Sequence, residues 1–504
     1  MPRYKHTEAE SGQGLFLSVN LMEQLLPGTF EYMLDEIIDT KIDTSIFDHK
    51  YKNGLTGASA IPPKTILKLV IYGYKRGRMS SRGIWELNNN NIIAKSLTRD
   101  IDIHWTTIAN FISSNRKEFE NTFVEVLAYC NELELIAGED FAVDGLRLPS
   151  NASLEMSGTK KKLEKRLETY RKMAAKHLAR HQKKDELGEA DENTKKHFEK
   201  QQKKYNQKIE KISSFLETMK PKEGNRGQEI QSNVTDDESA VIHSSKGYIQ
   251  GYIGIVAADS KNQIIINAKA VGSANECEHL PDILDGVEKN MKEAAGEASW
   301  NEKKKTALCD SNYFSGDNLR ACKERGIEAI IPDSQEKQRL NSQGEKRFEA
   351  EDFTYYEEGN YYECPNGKKL LFKGSSAIRG EAVSHYLCSL PDCRTCPVFT
   401  RCIQSKKGQD ELKNGKDLMI RKSNAQYSLT REMRDKMTTE EYQEKYSRRI
   451  QIVEPVFANI GYCKGLNRFT LRGKEKVNGQ WKLCCIVHNL CKCLDGYNER
   501  KRSA

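Results

Sequence analysis

A mixed α/β sheet flanked by helices, interrupted by two insertions and preceded by an all-α region, is the fold class that three observations predict. Two short apolar runs each end in an acid, FAVD at Asp144 and TALCD at Asp310. Between Gly247 and Pro332, strand-like and helix-like patterns alternate, as in an α/β sheet. Composition shifts after Ser153 and again after Ser334, where lysine-rich polar stretches replace apolar ones. These shifts divide the chain into 1–135 (helical), 136–154 and 226–334 (sheet), 155–225 and 335–440 (insertions) and 441–504 (C-terminal helices).

At 504 residues the chain is too long for one core, and about two to four domains are expected. No uninterrupted apolar run is long enough to cross a bilayer, and no apolar core follows the charged N-terminal residues as a signal peptide would require. The expectation is a cytoplasmic protein with no membrane partner. A net charge of +8, with 30% of residues charged, permits a nucleic-acid partner without demanding one. Fourteen cysteines without an export signal point to thiols or metal ligands rather than disulfides.

In the helical region, Pro62 and Pro63 can open a helix in which Ile66, Leu67, Val70 and Tyr74 recur at helical spacing. A second helix surrounds Ile84 to Leu87, and His104 to Cys130 reads as one longer helix with Thr106 or Thr107 as its cap. Lys75, Arg76, Arg78, Arg82 and Arg116 fit either a helix-turn-helix-like DNA-binding unit or the solvated face of an ordinary bundle. The first acid-ending strand follows. Phe141 and Val143 alternate with Ala142 and Asp144, and Gly145 breaks the run. Asp144 is either a solvated turn residue or a carboxylate compensated by a cation.

Residues 155–223 carry two helical stripes, Leu163, Leu167, Tyr170, Ala174 and His177, then Tyr205, Ile209, Ile212, Leu216 and Met219. They predict an antiparallel helical hairpin joined near 185–193. Its lysines, among them Lys160, Lys183, Lys195 and Lys203, form a solvated face or an arm that grips phosphates. GYIQGYIGIVAAD and QIIINAKAV, split by SKN, read as adjacent strands, and Leu280, Ile283, Leu284, Val287 and Met291 mark a helix. After the Asp310 strand come a helix over 317–325 and the strand IEAIIP. Asp259, which closes VAAD, competes with Asp310 as a second acid.

Downstream of Cys364, CSLPDCRTCPVFTRC carries Cys388, Cys393, Cys396 and Cys402. The CxxC of Cys393 and Cys396 suits one tetrahedral structural zinc; reduced free thiols are the alternative. Further on, Ile450, Val453, Phe457 and Ile460 trace a helical stripe with Glu454 at its border. Pro455 either opens that helix, leaving Glu454 at the positive end of the macrodipole, or kinks it.

With AVDGLRLPSNAS, LCDSNYFSGDNL, and RRIQIVEPVFANI followed by GLNRFTLRG, the chain resembles the DDE transposases of bacterial insertion sequences over most of its length. The resemblance implies a ribonuclease-H-like catalytic domain in which Asp144, Asp310 and Glu454 coordinate two divalent ions, magnesium or manganese. It also implies double-stranded DNA, the element's ends and its target, as the partner, and a homodimer in the DNA complex. Members of this class often carry a tyrosine and an arginine before the glutamate and a lysine seven residues after it, contacting DNA near the cut. Tyr446 and Arg449 fill the first two roles approximately. The third position is Gly461, so Lys464 or Arg468 would have to substitute. Three functions compete: a metal-dependent transposase acting on the terminal repeats of its own element, a transposase-derived DNA-binding protein without catalysis, and a related nuclease without strand transfer.

Overall fold

The computed structural model describes residues 20–51, 59–187, 192–224, 227–244, 247–334, 345–378, 381–403, 409, 413–421 and 424–503. Packing divides the chain into two units, Met1–Ile112 with Cys493–Ala504, and Ser113–Lys492.

The described part of the first unit is helical: α1 (Phe30–Thr40), α2 (Pro63–Lys75), α3 (Ser81–Asn90), α4 (Ile92–Thr98) and α5 (Trp105–Ser114). Thr29, Ser80 and Asn91 cap α1, α3 and α4 by accepting the N–H groups of Tyr32, Gly83 and Ala94, and Pro63 occupies the first turn of α2. Ile66, Leu67, Val70 and Tyr74 are buried as the spacing predicts. The one long helix expected over 104–130 is instead two. Asn115, with ψ at 42°, separates α5 from α6 (Arg116–Glu132).

The second unit holds the sheet. β1 (Asp140–Pro149) leads into the first insertion, where β2 (Ser157–Gly158) precedes α7 (Lys160–Glu186) and α8 (Glu192–Thr218). Leu163, Leu167, Tyr170 and Ile212 form the hairpin's own core, and the residues expected to join its helices lie partly outside the described ones. β3 (Lys222–Glu223) pairs with β4 (Glu229–Ile230), and β5 (Ser232–Asn233) with β2. The sheet resumes with β6 (Ala240–Ser244), β7 (Gly247–Asp259) and β8 (Ile265–Val271). Then come α9 (Leu280–Ala295), α10 (Glu297–Glu302), β9 (Lys305–Cys309), α11 (Gly316–Glu324) and β10 (Ile327–Ile330).

The strand order is β10-β9-β1-β7-β6, with β8 also on β7; β1, β9 and β10 run parallel, and β7 is antiparallel to β1, β6 and β8. The mixed α/β class is therefore as expected. Side chains alternate between two faces. On one face Asn267 of β8 meets Gly286 of α9; on the other, Gly254 of β7 lets the Trp481 ring approach, with 2.8 Å left for a Cβ.

The second insertion builds a separate antiparallel sheet from β11 (Thr354–Tyr356), β12 (Tyr361–Glu363), β13 (Lys369–Ile378), β14 (Glu381–Cys388) and β15 (Asp417–Arg421). Two short helices, α12 (Leu390–Arg394) and α13 (Phe399–Cys402), lie between β14 and β15. The chain then forms α14 (Asn424–Met437), α15 (Glu440–Ala458) and α16 (Lys474–Ser503), the last contributing Trp481 to the sheet's core. No helix among the described residues is long and apolar enough to cross a membrane.

Candidate active site

The register of two parallel strands makes the site. Val143 of β1 lies opposite Cys309 of β9, the last pair of that ladder. Asp144 is one residue further along β1 and Asp310 one residue past the end of β9, so they follow neighbouring strand positions that lie about 4.8 Å apart along the hydrogen-bonding direction. Apolar Phe141, Ala142 and Val143 bury β1 up to that point, and Asp310 turns away into the short helix Ser311–Tyr313.

One guanidinium spans the pair. Arg449 Nη1 donates to Asp144 Oδ2 at 2.8 Å, and its Nη2 lies 3.8 Å from Asp310 Oδ1. Burial pushes the Asp144 carboxyl above its ordinary range, and Arg449 works against that shift. Burial also opposes the charge on Arg449, which Asp144 nonetheless holds above its usual value. Tyr446 lies one turn earlier on α15, its ring centroid 5.7 Å from the guanidinium carbon. Tyr446 and Arg449, expected at DNA, thus stand beside the two aspartates.

The third expected acid lies elsewhere on α15. The buried stripe consists of Ile452, Val453 and Val456, continued by Ile460, while Ile450 is 47% exposed. The helix is therefore rotated from the predicted stripe of Ile450, Val453, Phe457 and Ile460, and Glu454 is exposed, its carboxylate without a hydrogen bond or ion pair among the described residues. Nor does Pro455 open the helix, so Glu454 is not at a positive terminus. Pro455 lies inside α15, and the Gln451 carbonyl that its missing N–H leaves free accepts from Gln263 Nε2 at 3.0 Å.

A carboxylate that sequence patterning missed stands nearby. Glu276, between β8 and α9, is 4% exposed; its Oε1 accepts from Arg147 at 3.3 Å, and its Oε2 has no partner. Burial and then the charge of Asp144 push its carboxyl up to about 7. Tyr313 Oη and Arg449 Nε are likewise buried without partners. Periodicity does not mark Glu276; the signal available was an acid in the turn after a strand of the same sheet. Asp144 and Asp310 share one cationic group, and unpartnered polar atoms surround them, so the pair fits a divalent cation. Among the described residues no three His, Cys, Asp or Glu side chains are placed to hold one metal ion.

The other candidates have structural partners. Asp259 is fully buried and accepts the N–H groups of Ala137, Gly138 and Lys261 at 3.1, 2.8 and 3.0 Å, so it holds a turn rather than facing Asp144. Lys464 is buried against Asn459, and Arg468 donates to the Ser150 carbonyl at 3.0 Å. Lys75 pairs with Glu31 at 2.7 Å, and Arg82 lies over Trp105. Cys388, Cys393 and Cys402 join the small core of the second insertion, with Cys364 packed against it. Cys396 follows on the same turn, its N–H on the Cys393 carbonyl.

Two family models match the chain. One described as Transposase domain (DUF772) covers residues 19–114, and one described as Transposase DDE domain covers residues 363–494. Together the two matches support a DDE transposase of an insertion sequence. The match to the DDE domain takes in the second insertion from Glu363 on, with Arg449 and Glu454, and begins after Asp144 and Asp310. No curated protein and no solved structure gives a match.

Proposed function

We propose that this transposase binds the terminal inverted repeats of its own insertion sequence and carries out divalent-metal-dependent strand cleavage and strand transfer from a ribonuclease-H-like domain. The architecture is supported by the antiparallel β8-β7-β1 strands continuing into parallel β9 and β10, with acids at β1 and just past β9. The observation that carries the chemistry is the Asp144 and Asp310 pair bridged by Arg449.

Magnesium or manganese bound at that pair, two ions in the full site, would supply Lewis acidity and lower the pKa of an attacking water or 3′-hydroxyl. Asp144 and Asp310 would hold the cation, and Arg449, which contacts both carboxylates, would keep them together in its absence. Glu454 enters as a further ligand on the resemblance alone. Contacts from Lys464 and Arg468 to DNA, and a homodimer in the DNA complex, likewise rest on the resemblance. The exposed lysines of α7 and α8 provide a surface for phosphates.

Duplexes ending in the inverted repeats that flank the coding region test this proposal. With Mg2+ or Mn2+ the parent protein should nick at the repeat's end, while Asp144→Asn and Asp310→Asn bind the duplex without cutting. Equal cutting by those variants would overturn the assignment. A precut end that is joined to target DNA separates a transposase from a nuclease, and binding without cleavage under either metal would leave only the DNA-binding derivative.

A further inference from the structure

We infer that Glu276 is a third carboxylate of the divalent-cation site, its Oε2 accepting hydrogen bonds from the cation's water shell beside Asp144 and Asp310. This rests on the metal-dependent function proposed above.

A carboxylate oxygen is seldom left buried without a partner, because the hydration it loses is then replaced by nothing. Glu276 Oε2 is so placed. Its sister oxygen has only the 3.3 Å contact from Arg147, which is itself 37% exposed and also donates to the His243 carbonyl at 3.2 Å. A purely structural ion pair would leave the burial of the second oxygen unexplained.

The surrounding chain packs that oxygen against β1. It lies over Gly145, the residue after Asp144, where a Cβ would overlap it and come within 2.6 Å of Ile253 Cγ2. β9 has ended at Cys309, so β1 has no parallel neighbour at Gly145. Asn318 ties the two turns together: its Nδ2 donates to the carbonyls of Cys277, next to Glu276, at 3.0 Å and of Tyr313, three residues after Asp310, at 2.8 Å. The unpartnered Tyr313 Oη is in the same neighbourhood, and the charges of both Asp144 and Asp310 reach Glu276.

An outer-shell role fits the absence, among the described residues, of three side chains placed to ligate one ion. Magnesium keeps several waters and takes only one or two carboxylates directly.

The test uses the full chain and Mn2+ alone. Electron paramagnetic resonance titration should show Glu276→Gln weakening Mn2+ binding about tenfold or more, as loss of a supporting partner does. The same variant should melt higher than the parent without metal, since a like charge is gone, and gain less on adding Mn2+. Parent-like Mn2+ affinity in Glu276→Gln, with affinity lost in Asp144→Asn, overturns the inference and leaves the proposed function standing. Parent-like affinity in both variants overturns both. A measurement on the unaltered protein guards against misfolding: Fe2+ with ascorbate and peroxide should cut the backbone near 144, 310 and 276. Cuts near the first two without one near 276 would also overturn the inference.

Discussion

Asp144 and Asp310 share one guanidinium beside polar atoms that have no partner, whereas two of the cysteine sulfurs of the second insertion accept backbone amides. Amide groups of Lys368 and Lys416 donate to the sulfurs of Cys364 and Cys393, each at 3.3 Å, and Gln409 Nε2 binds the Cys393 and Cys396 carbonyls. Burial, then Cys393, pushes the Cys388 thiol up to about 12, and burial raises Cys402 to about 11. Both regions bring metal-ligand residue types together. A thiol can stay protonated and pack as a small apolar group, while paired carboxylates cannot shed their charge as cheaply. Crowding of ligand residues is thus weaker support for a metal than unsatisfied charge.

The largest expected effect lies at the acids. Asp144→Asn or Asp310→Asn should lower metal-dependent cleavage on the order of a thousandfold, equivalent to about 4 kcal/mol, with DNA binding retained. Arg449→Ala should come next. It leaves two carboxylates facing each other in a partly buried site and should destabilise the metal-free protein by about 2 kcal/mol in a denaturant titration, with Mn2+ restoring more stability than it adds to the parent. Asp259→Asn should cost about 1 to 2 kcal/mol through its three backbone partners and leave Mn2+ affinity unchanged. If Mn2+ affinity falls instead, Asp259 rather than Asp310 is the second acid. The smallest effect is expected at the thiols: Cys402→Ala should cost about 1 kcal/mol, and a strong chelator should leave the melting temperature unchanged. One tightly held zinc whose removal lowers that temperature would break the contrast between the two regions.

Much of the sheet was legible because strands and helices here follow their own periodicities. The run before Asp310 is a strand closing on an acid, whereas β1 runs on through Gly145 to Pro149, paired with β7, so Asp144 sits within its strand and Gly145 does not break it; the helical hairpin packs on the stripe that Leu163, Leu167 and Tyr170 predict. The face presented by α15 was not legible. Ile450 and Phe457 suit an apolar stripe as well as Ile452 and Val456 do, and only packing on β1 selects between them. The partners of Asp259 and Glu276 were hidden for a related reason. Each depends on segments more than a hundred residues away in the chain, Ala137 and Gly138 for one and Arg147 for the other. Local spacing carries no record of such contacts.

Anomalous diffraction from crystals of the full chain soaked in Mn2+ tests the central claim most directly. The account predicts a peak between Asp144 and Asp310, with the Arg449 guanidinium moved off Asp144. Full Mn2+ loading with no peak at that pair, or with Arg449 still bridging the two aspartates, would contradict it.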